Sequence, residues 1–275
     1  MQLRNIFPDR VRRLARPSGR RNGETDRVYA IGDIHGRSDL LARMITLITN
    51  DHAARGRVPA RLVLLGDVID RGPNSARLVE WCKVLTGDSD RFIVLRGNHE
   101  AMMVGALAGD LELLEFWLGQ GGRETLASWG LPDDLLDDGA SYRLMREARR
   151  AVGSGTLSWM SSLPVMDRHG AYAFVHAGIR PGVGLDRQAE EDLLWIRSPF
   201  LQSADDHGAV VVHGHTICEE GPVVRKNRIG IDTGAHRTGV LTAIGIEGDE
   251  FWFLSTADST SREVGRDLLL SSSPA

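Results

Sequence analysis

Asp33 and His35 stand two residues apart at the end of the apolar run in YAIGDIHGR, where neither helps to bury a strand. Asp67 closes the run in LLGDVIDRGP in the same way, with Asp70 and Arg71 just beyond it. Asn98, His99 and Glu100 follow the run in LRGNHE, His176 lies in VHAG, and His213 and His215 lie in VHGHT. One Asp-Gly after a strand is ordinarily a turn, and one histidine is ordinarily a satisfied polar residue. Five strand ends that all carry Asp, Asn or His beside glycine do not read as unrelated turns. Their side chains offer oxygen and imidazole donors without thiolate, which suits Mn, Fe, Zn or a similar ion rather than a cysteine-held structural zinc.

Six donors, Asp33, His35, Asp67, Asn98, His176 and His215, exceed what one open metal site uses. Two divalent ions sharing a bridging carboxylate account for the surplus. Ions about 3.5–4 Å apart can hold one hydroxide between them and clamp a phosphoryl group. Two such ions bring about +4, and two aspartates with a hydroxide bring about −3. The site therefore keeps about one positive charge and favours a phosphate ester over a neutral substrate. Asn98 adds a carbonyl oxygen without adding negative charge. His213 and His215 are two apart on a strand and share a face. His99 adjoins a donor, and Glu100 reads as an orienting carboxylate rather than a ligand.

A sheet whose strands end together must position these groups. RVYAIGD, RLVLLGD and RFIVLRG read as short buried strands. DLLARMITLITN, with Ser38 as its N-cap, and NSARLVEWCKVL have helical spacing. Strands alternating with helices imply parallel pairing, and ligands then sit at the carboxyl ends of the strands. Residues 101–166 are broken at GQGG, GLPDD and GSG and read as a mainly helical subregion. AYAFVHAG, AVVVHGHT, RIGIDTGA, GVLTAIGIEG and EFWFLST read as strands, several too close together to hold helices and so expected as hairpins. The fold expected is α/β, parallel in its first half and richer in antiparallel pairing in its second.

With 275 residues, the chain suits one catalytic domain, here placed at 27–256. A basic arm at 1–26 and a serine-rich tail at 257–275 are expected to lack fixed structure. An amphipathic stretch from Ile6 to Leu14 leaves membrane or nucleic-acid contact as the lesser alternative for the arm. The formal net charge of −4 gives no general case for a nucleic-acid partner. Two distant cysteines, Cys82 and Cys218, fit a reducing compartment. No apolar run approaches the roughly 18 residues of a membrane span, and the arm lacks the apolar core of a secretory signal. A cytoplasmic location is expected.

GDIHG, GDVIDRG and GNHE, in this order and at these intervals, resemble the calcineurin-like metallophosphoesterases. The intact GDVIDRG and RGNHE look like the branch of serine/threonine protein phosphatases, and VHAG, LLWIRSPF, VHGHT and IDTGA like its bacterial and phage members. The resemblance runs from about Arg27 to Leu254. It implies a β-sandwich of mixed sheets flanked by helices, with a helical insertion. It also implies a dinuclear metal centre, manganese favoured and iron or zinc as alternatives. By the resemblance one ion takes Asp33, His35 and Asp67, and the other takes Asp67, Asn98, His176 and His215. His99 is then the general acid, oriented by Asp70, and Arg71 and Arg197 hold the phosphate together with Asn98 and His99. The same alignment prefers His215 over His213. Arg123 in GGRETLASWG is given no role, and His52, His169, His207 and His236 read as structural or surface residues.

The leading expectation is a hydrolase: a metal-dependent phosphomonoesterase acting on phosphoserine or phosphothreonine, and by extension phosphotyrosine, in proteins by direct attack of the bridging hydroxide. The alternative is hydrolysis of nucleotides such as diadenosine polyphosphates at the same site. In that class a different residue usually follows GNH, so GNHE leans toward phosphoprotein. A chain that only binds phosphoprotein ranks last, because every expected donor and acid is present.

Overall fold

The computed structural model describes residues 26–56, 58–257 and 262–264. Strand β1 (Arg27–Ile31) is buried along its whole length. Its period-two alternation sends Val28 and Ala30 into one core and Tyr29 and Ile31 into another. β2 (Ala60–Leu64) and β3 (Phe92–Val94) follow it in parallel, joined through helices α1 (Ser38–Ala54) and α2 (Ser75–Asp88). Ser38 is the first helical residue of α1, preceded by Arg37, and no side-chain cap is formed there. The expected N-cap is therefore off by one place.

β9 (Thr242–Glu247) and β10 (Glu250–Ser255) form an antiparallel hairpin on the other side of β1. β11 (Arg262–Val264) pairs with β10 and completes a six-stranded sheet in the order β11-β10-β9-β1-β2-β3. That short strand falls within the tail expected to lack structure. The basic arm, Ile6–Leu14 included, lies outside the described residues apart from Asp26.

The second sheet has five strands in the order β4-β5-β6-β8-β7. These are β4 (Met166–His169), β5 (Tyr172–Val175), β6 (Val210–His213), β7 (Val223–Arg225) and β8 (Arg228–Gly230). β4–β5 and β7–β8 are antiparallel, but β5, β6 and β8 run parallel. The hairpin expectation thus fails where it matters most. The chain between β5 and β6 holds α9 (Glu190–Trp195) and α10 (Ser198–Leu201), and β7 makes the return between β6 and β8. Parallel pairing brings the ends of VHAG, VHGHT and RIGID to one edge.

The two sheets face each other across Val28, Ala30, Val63, Phe174, Val212 and Ile229, among others. The outer face of the first sheet packs under helices. The outer face of the second carries Val175, Val211, Leu193, Ile196 and Phe200, the last three from the α9–α10 segment. Helices α3 (Asn98–Ala108), α4 (Leu111–Trp117), α5 (Arg123–Ser128), α6 (Asp133–Asp137), α7 (Tyr142–Val152) and α8 (Ser154–Ser161) make up the helical subregion. Leu114, Trp117, Leu126, Leu144 and Met160 bury themselves in the same core as Ile31 and Leu64. The architecture is the expected α/β sandwich of mixed sheets flanked by helices. Among the described residues no helix is long and apolar enough to cross a membrane.

Candidate metal centre

Backbone conformation marks the site before any side chain is considered. Among the described residues, the non-glycine positions with positive φ are His35, Asp67, Asp70, Arg71 and His215. Each left-handed residue costs about 1–2 kcal/mol, and such strain persists where the surroundings impose it, as functional sites do. All of these lie in the loops that leave β1, β2 and β6.

Glu100 imposes much of it. Its carboxylate accepts the backbone N–H groups of Gly97 (2.8 Å), Asp67 (2.9 Å), Val68 (2.9 Å) and Ile69 (3.3 Å). The loop after β2 is therefore wrapped around one buried carboxylate at the start of α3. The backbone of Gly97 presses against Asp67, where a Cβ would come within 2.2 Å of Oδ1. No other residue fits there without moving that carboxylate. Glu100 is an orienting group, as its position beside His99 implied. Glu100→Ala would leave these buried donors unpaired, at about 1–3 kcal/mol each. We expect the metal-free protein to lose at least about 3 kcal/mol in denaturant unfolding. An unchanged unfolding midpoint would show that the loop holds itself.

The histidines are set as neutral donors. The Nδ1–H of His35 faces the Ile69 carbonyl at 2.9 Å, and that of His176 faces the Leu65 carbonyl at 3.0 Å. Because a carbonyl only accepts, both rings must carry the proton on Nδ1 and turn a bare Nε2 toward the centre. Burial lowers the pKa of both rings, well below the ordinary range for His35. His176 Nε2 then lies 2.8 Å from Asn98 Oδ1, and His215 Nδ1 lies 3.0 Å from the same oxygen. With its proton held by the Leu65 carbonyl, His176 turns a lone pair toward that oxygen, an opposition that a cation held by both would relieve. His215 Nε2 is itself buried without a hydrogen-bond partner, and burial with the neighbouring His176 pushes its pKa down to about 2.

Two triads of donor atoms converge: Asp67 with His176 and His215, and Asp67 with His35 and His99. Asp67 belongs to both, the position that a carboxylate shared by two ions would take. Burial raises its pKa, but charge on the imidazoles around it, which they carry only when protonated, outweighs this and holds it low, His176 first and then His99, His35 and His215. Asp33 is in neither triad. Its carboxylate accepts from the His215 N–H at 3.1 and 3.2 Å. Burial and the nearby Asp232 and Asp67 push its pKa well up. A buried carboxyl crowded by two others is stable as an anion only beside a cation. The donor set, its tautomers and its crowded acids fit a pair of divalent ions.

His99 shares a triad with His35, but its other ring nitrogen distinguishes it. Nδ1 is 2.6 Å from Asp70 Oδ2. Asp70 in turn accepts from Trp117 Nε1 at 2.8 Å and from Thr125 Oγ1 at 2.6 Å, so its carboxylate is fixed on both oxygens. Burial lowers the His99 pKa, yet Asp67 and Asp70 raise it by more, and the net shift is upward. His99 keeps a proton longer than the donor histidines do. Arg71 reaches His99 Nε2 at 3.0 Å and His35 Nε2 at 2.8 Å. The irregular turn Leu118–Gly122 sits on Arg71, whose N–H meets the Gly121 carbonyl at 3.3 Å.

Arg197 is exposed at the rim, with a 3.5 Å contact to Thr216 Oγ1, next to His215. Its charge adds a smaller share to the lowering of the His176 and His215 pKa values, after burial. His213 points away: its ring packs on Phe200 at 5.1 Å, and burial pushes its pKa down to about 4. Arg123 pairs with Asp137 on the surface, so the residue that GGRETLASWG contributes to the site is Thr125. Sequence reading missed Thr125, Trp117, Asp232 and His236. The His236 ring meets His35 edge-on at 5.0 Å. Asp232 lies in the quoted IDTGA motif and was the one with a signal, since it too follows the apolar end of a strand, with glycines two residues away on either side.

The chain is similar to several known proteins. Over 154 residues the chain is 30% identical to the symmetrical bis(5'-nucleosyl)-tetraphosphatase of Methylococcus capsulatus, covering 56% of this chain and 44% of that protein. It is 28% identical over 191 residues to the protein of that name from Vibrio parahaemolyticus, covering 65% and 58%. The matched stretch thus spans about half the length of these relatives. Among solved structures, one provisionally named a diadenosine tetraphosphatase superposes with a TM-score of 0.57 at 20% identity, covering 85% of this chain and 95% of that one. A cold-active protein-tyrosine phosphatase from a Shewanella species superposes with a TM-score of 0.55 at 18% identity, covering 84% and 78%. At such identities these two show the fold and not the substrate. The sequence profile of the calcineurin-like phosphoesterases matches residues 26–233, about three quarters of the chain, and with it the strand ends that carry the donors. The chain belongs to the calcineurin-like phosphoesterase family.

Proposed function

We propose that the chain hydrolyses the phosphoanhydride chain of dinucleoside polyphosphates, with diadenosine tetraphosphate as the reference substrate. The observation that carries this reading is the shared name of its curated relatives at about 30% identity. It replaces the phosphoprotein reading as the leading one. GNHE leaned toward phosphoprotein, but Glu100 faces backbone N–H groups and not the rim, so it does not select a substrate.

Asp33, His35 and Asp67 would hold one divalent ion, and Asp67, Asn98, His176 and His215 the other. When bound, the pair supplies positive charge to the phosphoryl oxygens and acidifies water for attack. The chain's own residues do the rest. Arg71 and Arg197 grip phosphate oxygens from two sides, with Asn98 and His99 at its edge. Asp70 holds His99 through Nδ1 and leaves Nε2, which here faces Arg71, as the atom that would deliver a proton to the departing oxygen once Arg71 turns to the phosphate.

Two measurements test the reading. Diadenosine tetraphosphate and a phosphoserine peptide are offered to the Mn-loaded enzyme, and kcat/KM is expected to favour the dinucleotide. Preference for the peptide would restore the phosphoprotein reading. Separately, His35→Ala should lower bound metal, read by elemental analysis, while circular dichroism stays native. Full metal content would remove His35 from the ligand set.

A further inference from the structure

Trp195 is unexplained by anything above. It is the last residue of α9, and the two residues before it, Leu193 and Leu194, are buried. Trp195 itself is 39% exposed, although an indole has much to gain from burial. Among the described residues the other large exposed apolar side chains are Val84, Phe116 and Tyr142. Trp195 alone of these makes a ring contact with a residue of the metal centre: its indole stands edge-on to His215, with centroids 6.4 Å apart and planes at 84°.

The chain around it explains the placement. Ile196 is extended and buried, packing with Leu193 and Phe200 under the second sheet. The residues on either side of it, Trp195 and Arg197, are both exposed. One buried anchor thus presents a flat apolar surface and a guanidinium on the same rim, next to His215 and Thr216. A nucleoside 5'-phosphate has the matching sequence of parts: an anionic group, a ribose, then a flat base.

Resting on the dinucleoside polyphosphate reading, we infer that Trp195 is the platform on which one nucleobase of the substrate stacks while Arg197 holds the phosphate beside it. Stacking on an aromatic side chain is worth about 1–3 kcal/mol per base and tolerates any base. Trp195 is therefore a specificity-determining residue: it favours substrates that carry a base over bare phosphates, with little choice among bases.

The test compares two substrates of the Mn-loaded enzyme, diadenosine tetraphosphate and an alkyl phosphate that has no ring. Trp195→Ala is expected to lower the ratio of their kcat/KM values by about 5–150-fold, mostly through KM for the dinucleotide. Trp195→Phe should recover most of the loss, since it restores a ring without the indole N–H. The Kd of ADP, measured by calorimetry, should weaken in Trp195→Ala and recover in Trp195→Phe. Guanosine and adenosine dinucleotides should be affected alike. An unchanged substrate ratio and ADP affinity in Trp195→Ala, with wild type turning over the dinucleotide, would overturn the platform alone. Wild type that cleaves phosphopeptide and no dinucleotide would overturn the functional reading, and the platform with it.

Discussion

His99→Asn is expected to keep its metal and to lose about 10²–10⁴-fold in turnover of alkyl phosphates, the scale of general acid catalysis. The size follows from the leaving group. An alkoxide is a poor one and needs its proton in the transition state. His99 is built to give it: Asp70 holds Nδ1 at 2.6 Å, and Trp117 and Thr125 hold Asp70. Asparagine keeps a polar side chain of similar reach but has no proton to give. A nitrophenyl ester leaves more easily, so its loss should be smaller. Diadenosine tetraphosphate should also lose less, because a nucleoside diphosphate carries off negative charge on its own phosphate oxygens. The three substrates therefore order themselves by how much their leaving groups need an acid. Equal losses on all three, with metal content unchanged, would mean that His99 acts by holding Arg71 or the phosphate instead. Asp70→Asn should imitate the pattern more weakly, since it disturbs the orientation of the acid and leaves the ring in place.

That network shows what the sequence made legible and what it could not. Asp33, His35, Asp67, Asn98, His176 and His215 stood out in the sequence because each lies at the end of an apolar run with a glycine within two residues, and strand ends in such a sheet share one edge. The parallel β1–β2–β3 order was readable because the connecting helices have clear periodicity. β4 and β7 were not, because MDRH and VVR lack an apolar run long enough to stand out. Without β7 the chain between β6 and β8 looked like a hairpin, and the parallel run of β5, β6 and β8 was lost. Thr125 and Trp117 were invisible for another reason. They sit on helices of the insertion, about 50 residues from Asp70, and nothing local distinguishes them from core residues. The left-handed backbone at Asp67 and His215 was equally hidden, since non-glycine residues carry no sign of it.

Arg197 is given to the phosphate by the resemblance alone, and its side chain is exposed beside Thr216, the residue after His215. Arg197→Ala should leave metal content and Tm nearly unchanged, because the guanidinium is exposed and its one hydrogen-bond contact is 3.5 Å long. It should lower kcat/KM by about 10²–10³, or roughly 3–4 kcal/mol, the scale of removing one preorganised donor at a developing charge. The effect is large because Arg71 cannot replace it. Arg71 stands beside His35 and His99 and Arg197 beside Thr216, so without Arg197 one of the two grips on the phosphate is lost. Lysine should recover little, since an ammonium cannot present the two parallel donors of the guanidinium fork. Inorganic phosphate should inhibit the Ala variant more weakly than wild type, a readout that does not depend on the substrate chosen. The loss should also appear on the alkyl phosphate, which separates Arg197 from Trp195: the arginine serves every phosphate and the indole only those that carry a base. If Arg197→Ala turns over both substrates at the wild-type rate with unchanged phosphate inhibition, the second grip must come from elsewhere on the rim, and the pairing of guanidinium with indole loses its basis.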